Sequence, residues 1–242
     1  MKRFALIGYP VAGSLSPSLF QAAYGGRYSY ELLEDPSFEH AWARFLADFD
    51  GINVTAPFKL DACARVDTLH PHARLCGAVN LVVRSGNATM GYNTDVDGVY
   101  ESVSRSGVPV SEALIVGAGG AARAAAVAAL RLGCRVSIAN RTFDKAQALS
   151  NALGCRALPL ENVSRLDPDL VVYTLPGSAS LPMGLPLSRA VVLEAEYKHP
   201  VLADCPCRAY ISGRQWLLWQ AAAGYALFTG EDPDVKKMSA IF

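Results

Sequence analysis

The sequence has no excess of charge of either sign, since 22 Lys and Arg residues balance 22 Asp and Glu residues among 242. No block of like charges stands out along the chain. A balanced charge gives no general attraction for nucleic acid or for an anionic membrane surface. We therefore expect no nucleic-acid partner, and local groups must bind any anionic ligand.

Long apolar runs and metal-binding patterns are also missing. The longest apolar stretch, 216–228, contains Gln220 and is shorter than the about 20 residues that span a bilayer. The six cysteines form no C-x-x-C pair and have no histidine at metal-ligand spacing, which predicts reduced thiols and no metal site. The apolar run after Met1 is interrupted at Gly8 and Pro10, so no export signal is expected. These features predict a cytoplasmic protein with no membrane partner. The sequence leaves open whether it is a monomer or a homodimer.

Hydrophobic residues make up 51% of the chain and follow an alternating pattern of strands and helices. Short apolar or aromatic runs predict strands at 4–7, 28–33, 51–54 and 78–83, and a second set at 113–116, 136–139, 170–173 and 190–193. Apolar residues at helical spacing fill the intervals between the strands. This alternation predicts an α/β protein with mainly parallel sheet.

Two dipeptides predict where helices begin. Ser16-Pro17 and Asp35-Pro36 each place a capping side chain before a proline at the first helical position. A long amphipathic pattern after Gly213 predicts a further helix near the end of the chain, followed by a short terminal one.

A glycine-rich turn follows the predicted strand 113–116. Gly117 permits a tight turn, and Gly119 lets the backbone approach a pyrophosphate. The free N–H groups at the N-terminus of the next helix attract this anion. The alternative is a tight turn with no ligand. Because strand, turn and helix occur in the required order, we favour a dinucleotide site, formed by Gly117, Ala118, Gly119, Gly120 and Ala121.

The next strand after this turn ends at Asn140-Arg141-Thr142, where an NAD site would place an acidic residue. A carboxylate would repel a 2′-phosphate, whereas the Arg141 guanidinium offers it a planar set of donors, with Asn140, Thr142 and Lys145 adding hydrogen bonds. The sequence therefore favours NADP over NAD. In the alternative interpretation, Thr142 caps the next helix and Arg141 is a solvated surface residue.

Uncharged polar residues cluster at four predicted strand ends. Ligands of open α/β sheets bind beyond the carboxyl ends of strands, and Ser, Thr and Asn suit a polyhydroxylated or carboxylated ligand. Taken singly, each is explained by turn or capping chemistry. The candidate residues are Ser14 and Ser16, Asn53 and Thr55, Asn80, and Asn93 with Thr94.

Lys59 and Asp95 are the only ionisable residues that belong to these clusters. Oxidation of a secondary alcohol releases a proton, which a partly desolvated lysine can accept while a carboxylate orients the lysine or the hydroxyl. The alternative is an exposed Lys59 at the start of a helix and an Asp95 that caps the next one.

These residues together resemble the shikimate dehydrogenase family of aromatic amino-acid (chorismate) biosynthesis. The matching stretches occur in family order across nearly the whole chain: Ser14-Leu15-Ser16-Pro17, Asn53-Val54-Thr55-Ala56-Pro57-Phe58-Lys59, Gly77-Ala78-Val79-Asn80, Asn93-Thr94-Asp95, the turn from Gly117 to Ala122, Asn140-Arg141-Thr142, and Gln220.

The resemblance implies NADP-dependent reduction of 3-dehydroshikimate to shikimate, with Lys59 and Asp95 as the catalytic pair. It implies that Ser14 and Ser16 bind the substrate carboxylate, and that Asn53 supports Lys59 or the substrate. The other implied substrate contacts are Thr55, Asn80, Asp95 and Gln220, with Tyr197 near the nicotinamide.

The resemblance also implies two lobes. Residues 1–98 and the C-terminal helices 213–242 would form an α/β substrate lobe with mostly parallel sheet, around a Rossmann-like NADP lobe at 99–212. The sequence departs from the family pattern at Leu81, at Tyr173-Thr174-Leu175 and at Glu194-Ala195-Glu196-Tyr197.

Two other functions stay open. One is a quinate/shikimate dehydrogenase that accepts NAD. The other is a non-catalytic NADP-sensing module, whose first lobe would bind a partner or an effector.

Overall fold

The computed structural model describes residues 1–242 and divides them into two units. One unit comprises Met1–Thr94 and Gln220–Phe242, and the other comprises Asp95–Trp219. The boundaries therefore lie a few residues from the predicted 98/99 and 212/213. The division of substrate and NADP binding between the two lobes stays a prediction.

The first unit alternates short strands and helices before a hairpin. Its elements in chain order are β1 (Arg3–Gly8), α1 (Ser16–Tyr24), β2 (Ser29–Glu34), α2 (Phe38–Asp48), β3 (Gly51–Val54), α3 (Lys59–Arg65), β4 (Thr68–Leu69), α4 (Pro71–Cys76), β5 (Leu81–Ser85) and β6 (Ala88–Tyr92).

The six strands form one sheet in the order β2-β1-β3-β5-β6-β4. The pairs β1–β2, β1–β3 and β4–β6 are parallel, whereas β3–β5 and β5–β6 are antiparallel. The sheet is therefore mixed. Gly86-Asn87 joins β5 to β6 as a two-residue hairpin, which makes these strands antiparallel, whereas a helical connection is typical of parallel strands. The predicted strand 78–83 begins later than expected, at Leu81.

Side chains of β1 alternate between two cores, as the two-residue period of a strand requires. Ala5 and Ile7 belong to an apolar cluster with Trp42 and Phe45 of α2. Phe4 points to the opposite face and joins a set of rings that we call the aromatic cluster. Its members are Phe4, Phe20, Tyr24, Tyr28, Tyr30, Tyr225 and Phe228.

The two predicted caps differ in detail from the structure. Helix α1 begins at Ser16 itself, preceded by Leu15, so Ser16 is not the cap. In α2 the N-cap is Ser37, whose hydroxyl accepts from the backbone N–H of His40, while Asp35 accepts from the N–H of Ser37. The prediction of Asp35 as the cap was therefore wrong by two residues.

The second unit is a regular alternation of strands and helices. It contains α5 (Asp95–Ser104), β7 (Glu112–Val116), α6 (Gly120–Arg131), β8 (Arg135–Asn140), α7 (Phe143–Leu153), β9 (Arg156–Pro159), a 3₁₀ helix (Leu160–Arg165), β10 (Leu170–Tyr173), β11 (Val191–Glu194) and β12 (Ala209–Ile211).

All strand pairs in this unit are parallel, in the order β12-β11-β10-β7-β8-β9. If β7 is numbered 1 and the sheet is read from its β9 edge, the strand order is 3-2-1-4-5-6. This is the order of doubly wound folds, and it confirms the predicted Rossmann-like arrangement. The order reverses between β7 and β10, and ligands of such sheets bind beyond the strand ends at that point.

Two helices complete the chain, α8 (Gly213–Thr229) and α9 (Val235–Ser239), and the boundary between the units falls within α8. All six cysteines are free thiols. No helix combines the length and the apolar character needed to cross a bilayer.

Candidate functional site

Hydrogen bonds join several predicted site residues of the first unit into what we call the polar row, formed by Asn53, Asn80, Thr94 and Gln220. The Asn53 amide nitrogen donates to the Asn80 carbonyl at 3.4 Å, and the Asn80 side-chain oxygen accepts from the Thr94 backbone N–H at 2.8 Å. The Thr94 hydroxyl lies 3.4 Å from Gln220 Oε1. The row therefore brings residues from β3, the β6 end and α8 to one place.

The strands explain why this row is ordered. Asn53 lies on β3, which runs between β1 and β5. The pairing of β3 with β5 extends to the segment before β5, because the Val54 N–H donates to the Asn80 carbonyl at 2.8 Å. Asn53, Asn80 and Thr94 are all buried. Buried amides are costly unless they are hydrogen-bonded, so their mutual bonds fix the orientation of each side chain.

The two predicted serines lie at the start of α1. Ser14 Oγ accepts from the Ser16 backbone N–H at 3.2 Å and lies 3.1 Å from Ser16 Oγ. The Tyr225 hydroxyl donates to the Ser16 carbonyl at 3.0 Å, and the Tyr30 hydroxyl donates to Asn53 Oδ1 at 2.8 Å. These tyrosines connect the serines with the polar row.

Thr55 and Lys59 follow the end of β3. Thr55 is half-buried, and its backbone N–H donates to the Ile7 carbonyl at 3.0 Å. Lys59 is the half-buried first residue of α3, and its carbonyl accepts from the Val79 N–H at 3.0 Å. This bond ties the start of α3 to the residue before Asn80. Lys59 thus stands at a helix start, as its alternative interpretation expected, yet is not fully exposed.

Asp95 begins α5 directly after Thr94 and is half-buried. It is therefore the first residue of the helix and does not occupy the cap position before it. By the division of the chain, it belongs to the second unit.

The glycine-rich turn has the geometry expected of a dinucleotide site. Gly117 has a φ of +119°, and a Cβ there would clash with Thr174 Oγ1. Gly119 is the N-cap residue of α6, and no side chain hydrogen-bonds to the N–H groups there. A Cβ at Gly119 or at Gly120 would point into open space. The N–H groups of the first turn are thus left without a side-chain cap beside an open surface, which fits a pyrophosphate.

Packing of α6 against the sheet depends on small residues. Ala122, where a third small residue was predicted, is fully buried. The other buried alanines of the helix are Ala124, Ala125, Ala126, Ala128 and Ala129.

The predicted 2′-phosphate residues lie beside this turn. The Gly117 N–H donates to the Ala139 carbonyl at 2.8 Å, which brings the end of β8 next to the turn. Arg141 and Lys145 are exposed, and Asn140 Nδ2 donates to the Thr142 carbonyl at 3.0 Å. Thr142 is the N-cap of α7, although its side chain makes no capping hydrogen bond. No carboxylate stands among residues 140–142, so the end of β8 fits NADP.

Tyr197 lies in a turn that a buried carboxylate holds in place. Glu194, at the end of β11, is 0% exposed and accepts from the N–H groups of Val201 and Leu202, at 2.7 and 3.1 Å, and from the Tyr210 hydroxyl at 2.8 Å. Tyr197 is half-buried, and burial, followed by the nearby Glu196 carboxylate, raises the pKa of its hydroxyl. The departure from the family pattern at Glu194 therefore has a structural function.

The sequence pattern did not identify Tyr30 and Tyr225 as parts of the site, and it placed Thr94 only in a cluster. Burial raises the pKa of both tyrosine hydroxyls well above the ordinary value, so they stay protonated and neutral. The aromatic runs predicted strand and helix core, and no pattern showed where the hydroxyls would point.

Comparisons with known proteins agree with this geometry. Residues 6–82 match the family model of the shikimate dehydrogenase substrate binding domain, and residues 103–174 match that of shikimate / quinate 5-dehydrogenase. A shikimate dehydrogenase (NADP(+)) from Thermus thermophilus is 35% identical over 98% of this chain and 96% of its own. One from Halobacterium salinarum is 37% identical over 99% of this chain and 98% of its own.

The structural likeness extends over the whole chain. A crystal structure of shikimate 5-dehydrogenase from Thermus thermophilus, in complex with NADP(H) and shikimate, has a TM-score of 0.90 and 33% sequence identity. The match covers 100% of this chain and 98% of that chain.

Proposed function

The chain belongs to the shikimate dehydrogenase family, and we propose from this premise that it interconverts shikimate and 3-dehydroshikimate with NADP. The reaction is a step of aromatic amino-acid biosynthesis in this family. The protein is accordingly an oxidoreductase that acts on a secondary alcohol.

One observation carries the proposal: the polar row of uncharged amides and hydroxyls lies in the unit that also holds Lys59, while the open glycine turn lies in the other unit. Uncharged donors and acceptors of fixed orientation suit a ligand rich in hydroxyl groups. We assign substrate binding to residues 1–98 with 213–242, and NADP binding to residues 99–212.

We assign the proton transfer to Lys59 and Asp95. When bound, NADP takes up the hydride from the alcohol carbon, and NADPH returns it in the reverse direction. The alcohol must also lose its hydroxyl proton, and the Lys59 Nζ, in its neutral form, accepts it. We assign to the Asp95 carboxylate a hydrogen bond from the same substrate hydroxyl, which it would orient. In the reverse reaction Lys59 donates the proton to the ketone oxygen.

The substrate contacts follow from the chemistry of each side chain. Ser14 and Ser16 offer hydroxyl donors to the carboxylate, while Asn80 and Gln220 can donate to and accept from ring hydroxyls. Thr55 adds a further hydroxyl next to the start of α3. Asn53 supports this set through its bond to the Asn80 carbonyl.

Cofactor contacts belong to the second unit. The N–H groups from Gly117 to Ala121 would hold the pyrophosphate, including those of Ala118, Gly119 and Gly120. Arg141, with Asn140, Thr142 and Lys145, would hold the 2′-phosphate. Tyr197 would stand near the nicotinamide.

The direct test is a spectrophotometric assay with shikimate and NADP, read as the absorbance of the reduced cofactor. Quinate and NAD are assayed alongside. Efficient turnover of shikimate with NADP is expected, and comparable kcat/KM values for quinate or NAD would favour the quinate/shikimate alternative. Cofactor binding without turnover of any of these substrates would favour the non-catalytic module.

The role of Lys59 has its own test. General acid–base help is worth roughly 10²- to 10⁴-fold in rate, so Lys59→Ala is expected to lower kcat by about that factor and to change KM much less. Lys236→Ala, at an exposed position of α9, is the matched control. An unchanged kcat in Lys59→Ala would exclude Lys59 from the chemistry. The cytoplasmic location and the state as monomer or homodimer stay predictions.

A further inference from the structure

The aromatic cluster carries four tyrosine hydroxyls, which bond to two different places. Tyr24 and Tyr28 bond to Glu231, through its carbonyl at 3.0 Å and its carboxylate at 2.6 Å. Tyr30 and Tyr225 bond to Asn53 Oδ1 and to the Ser16 carbonyl, at 2.8 and 3.0 Å. Only the second pair thus reaches residues assigned to the substrate.

The chemistry of the acceptors fixes the direction of these bonds. A carbonyl oxygen only accepts, so the Tyr225 proton must point to the Ser16 carbonyl. The Asn53 amide nitrogen must likewise face the Asn80 carbonyl, which leaves its oxygen to accept from Tyr30. Both tyrosines therefore have their protons committed to protein acceptors.

Ser16 is held through its side chain as well. Its hydroxyl has a single proton and lies 3.1 Å from Ser14 Oγ, next to the hydroxyls of Tyr30 and Tyr225. The Ser16 carbonyl is thus fixed by the buried Tyr225, and the Ser16 hydroxyl lies beside the half-buried Tyr30. Burial keeps both tyrosines neutral, so this arrangement does not change with pH near neutrality.

Packing of the cluster does not itself require a hydroxyl at position 225. The Tyr225 ring packs edge-on against Phe20, with centroids 4.8 Å apart, and lies near Phe228, and neither of these residues carries a polar atom on its ring. A phenylalanine would fill the same space. The hydroxyl therefore adds its bond to the Ser16 carbonyl.

We propose that Tyr225 is a positioning residue for substrate recognition, which acts with Tyr30 by fixing Ser16 at the start of α1. The inference rests on the proposed function, because Ser16 is there assigned to the substrate carboxylate. A fixed serine needs no ordering when the substrate binds, so the loss of its support weakens binding and leaves the proton transfer unchanged.

Tyr225→Phe is the test, with Tyr24→Phe as the matched control in the same cluster. One hydrogen bond of this kind corresponds to roughly a 3- to 10-fold change in affinity, so Tyr225→Phe is expected to raise KM for shikimate by about that factor. We expect kcat and KM for NADP to stay as in the wild type. Tyr24→Phe, which removes a buried hydroxyl that does not reach Ser16, is expected to leave all three constants unchanged.

A double-mutant cycle with Ser16→Ala separates positioning from general loosening. If Tyr225 acts through the Ser16 hydroxyl, Tyr225→Phe changes KM less than about 2-fold in the Ser16→Ala background. An equal effect in both backgrounds overturns the proposal, as does an unchanged KM or the same change in Tyr24→Phe. Should Tyr225→Phe be unfolded at the assay temperature, Tyr30→Phe takes its place with the same expectation.

The two hypotheses fail in different ways. A wild-type protein that does not oxidise shikimate with NADP contradicts the proposed function. An active wild type whose Tyr225→Phe and Tyr24→Phe variants have equal KM values contradicts only the role of Tyr225.

Discussion

Glu194 gives the sharpest test of how the second unit is stabilised. Its carboxylate is fully buried and accepts three hydrogen bonds, two from the N–H groups of Val201 and Leu202 and one from the Tyr210 hydroxyl. An ionised carboxylate is an acceptor on both oxygens, so it matches three donors. In Glu194→Gln one of those oxygens becomes an NH₂ group, and a donor then faces a donor.

The cost follows from the number of bonds lost. The amide oxygen can keep Leu202 and Tyr210 while the NH₂ group faces the Val201 N–H, which leaves that buried N–H without an acceptor. We expect a loss of about 2–4 kcal/mol in the free energy of unfolding, since bonds to charged acceptors are worth about 1.5–3 kcal/mol each. At about 3 °C per kcal/mol, a loss of about 3 kcal/mol lowers Tm by about 9 °C.

Thermal unfolding monitored by circular dichroism measures the effect, and hydrogen exchange locates it. The amide protons of Val201 and Leu202 are expected to exchange faster in Glu194→Gln. Glu112→Gln, which removes the partner of exposed Arg135, is the control and is expected to change stability by less than about 1 kcal/mol. Equal Tm values for the two variants would refute the reasoning.

Other features give further expected outcomes. Gly117→Ala is expected to abolish NADP binding in a fluorescence titration, because of the φ of +119° and the clash of a Cβ with Thr174; normal binding contradicts this. Arg141→Ala is expected to raise KM for NADP about 10-fold and to leave KM for NAD unchanged, whereas equal losses would exclude a 2′-phosphate contact. Hydrogen bonds from the Thr89 hydroxyl and N–H lower the pKa of the Asp67 carboxyl in the folded protein. This contact therefore stabilises the fold at pH values above the pKa of Asp67 in the unfolded chain. The stabilisation is lost as the pH falls through the lowered pKa of the folded protein. Thr89→Val is therefore expected to lower Tm at about pH 7 and much less at about pH 3, and a constant difference would contradict the assignment.

The sequence predicted the strands whose residues are apolar and flanked by breakers. Strand β7 reads as an apolar run before glycine, and β10 and β11 are continuous buried runs typical of parallel sheet. Strand β9 was not predicted, because Arg156–Pro159 is a short edge strand of mixed polarity that ends in proline. Its pairing with β8 depends on tertiary context that no local pattern contains.

The same limit applies to the first sheet. Strand β6 carries Ala88 and Gly91, which have low strand propensity, and the hairpin that makes the sheet mixed was therefore not identified. The antiparallel pairing to β5 makes up for this low propensity.

The types of the site residues and their order along the chain could be predicted from the sequence. The directions in which the tyrosine hydroxyls point could not. Asn53 and Asn80 were predicted because uncharged polar residues recur at the predicted strand ends, beyond which ligands of open α/β sheets bind. Tyr225 was not predicted as a site residue, because an aromatic ring within a helical pattern is explained by packing alone. Only the packed structure shows that its hydroxyl reaches Ser16.

The first unit is completed by Gln220–Phe242, which follow the whole second unit in the sequence, and this order affects how the protein folds during synthesis. Phe228 of α8 stacks on Phe4 with centroids 4.7 Å apart, and a Cβ at Gly51 would lie 2.8 Å from the Phe228 ring. A ribosome releases Phe4 before, and Phe228 after, the whole of Asp95–Trp219. The continuous second unit can therefore fold while the nascent chain still exposes the aromatic face of the first. A message truncated shortly before residue 220 would leave Met1–Thr94 without the apolar side chains of α8, as a substrate for chaperones and proteases.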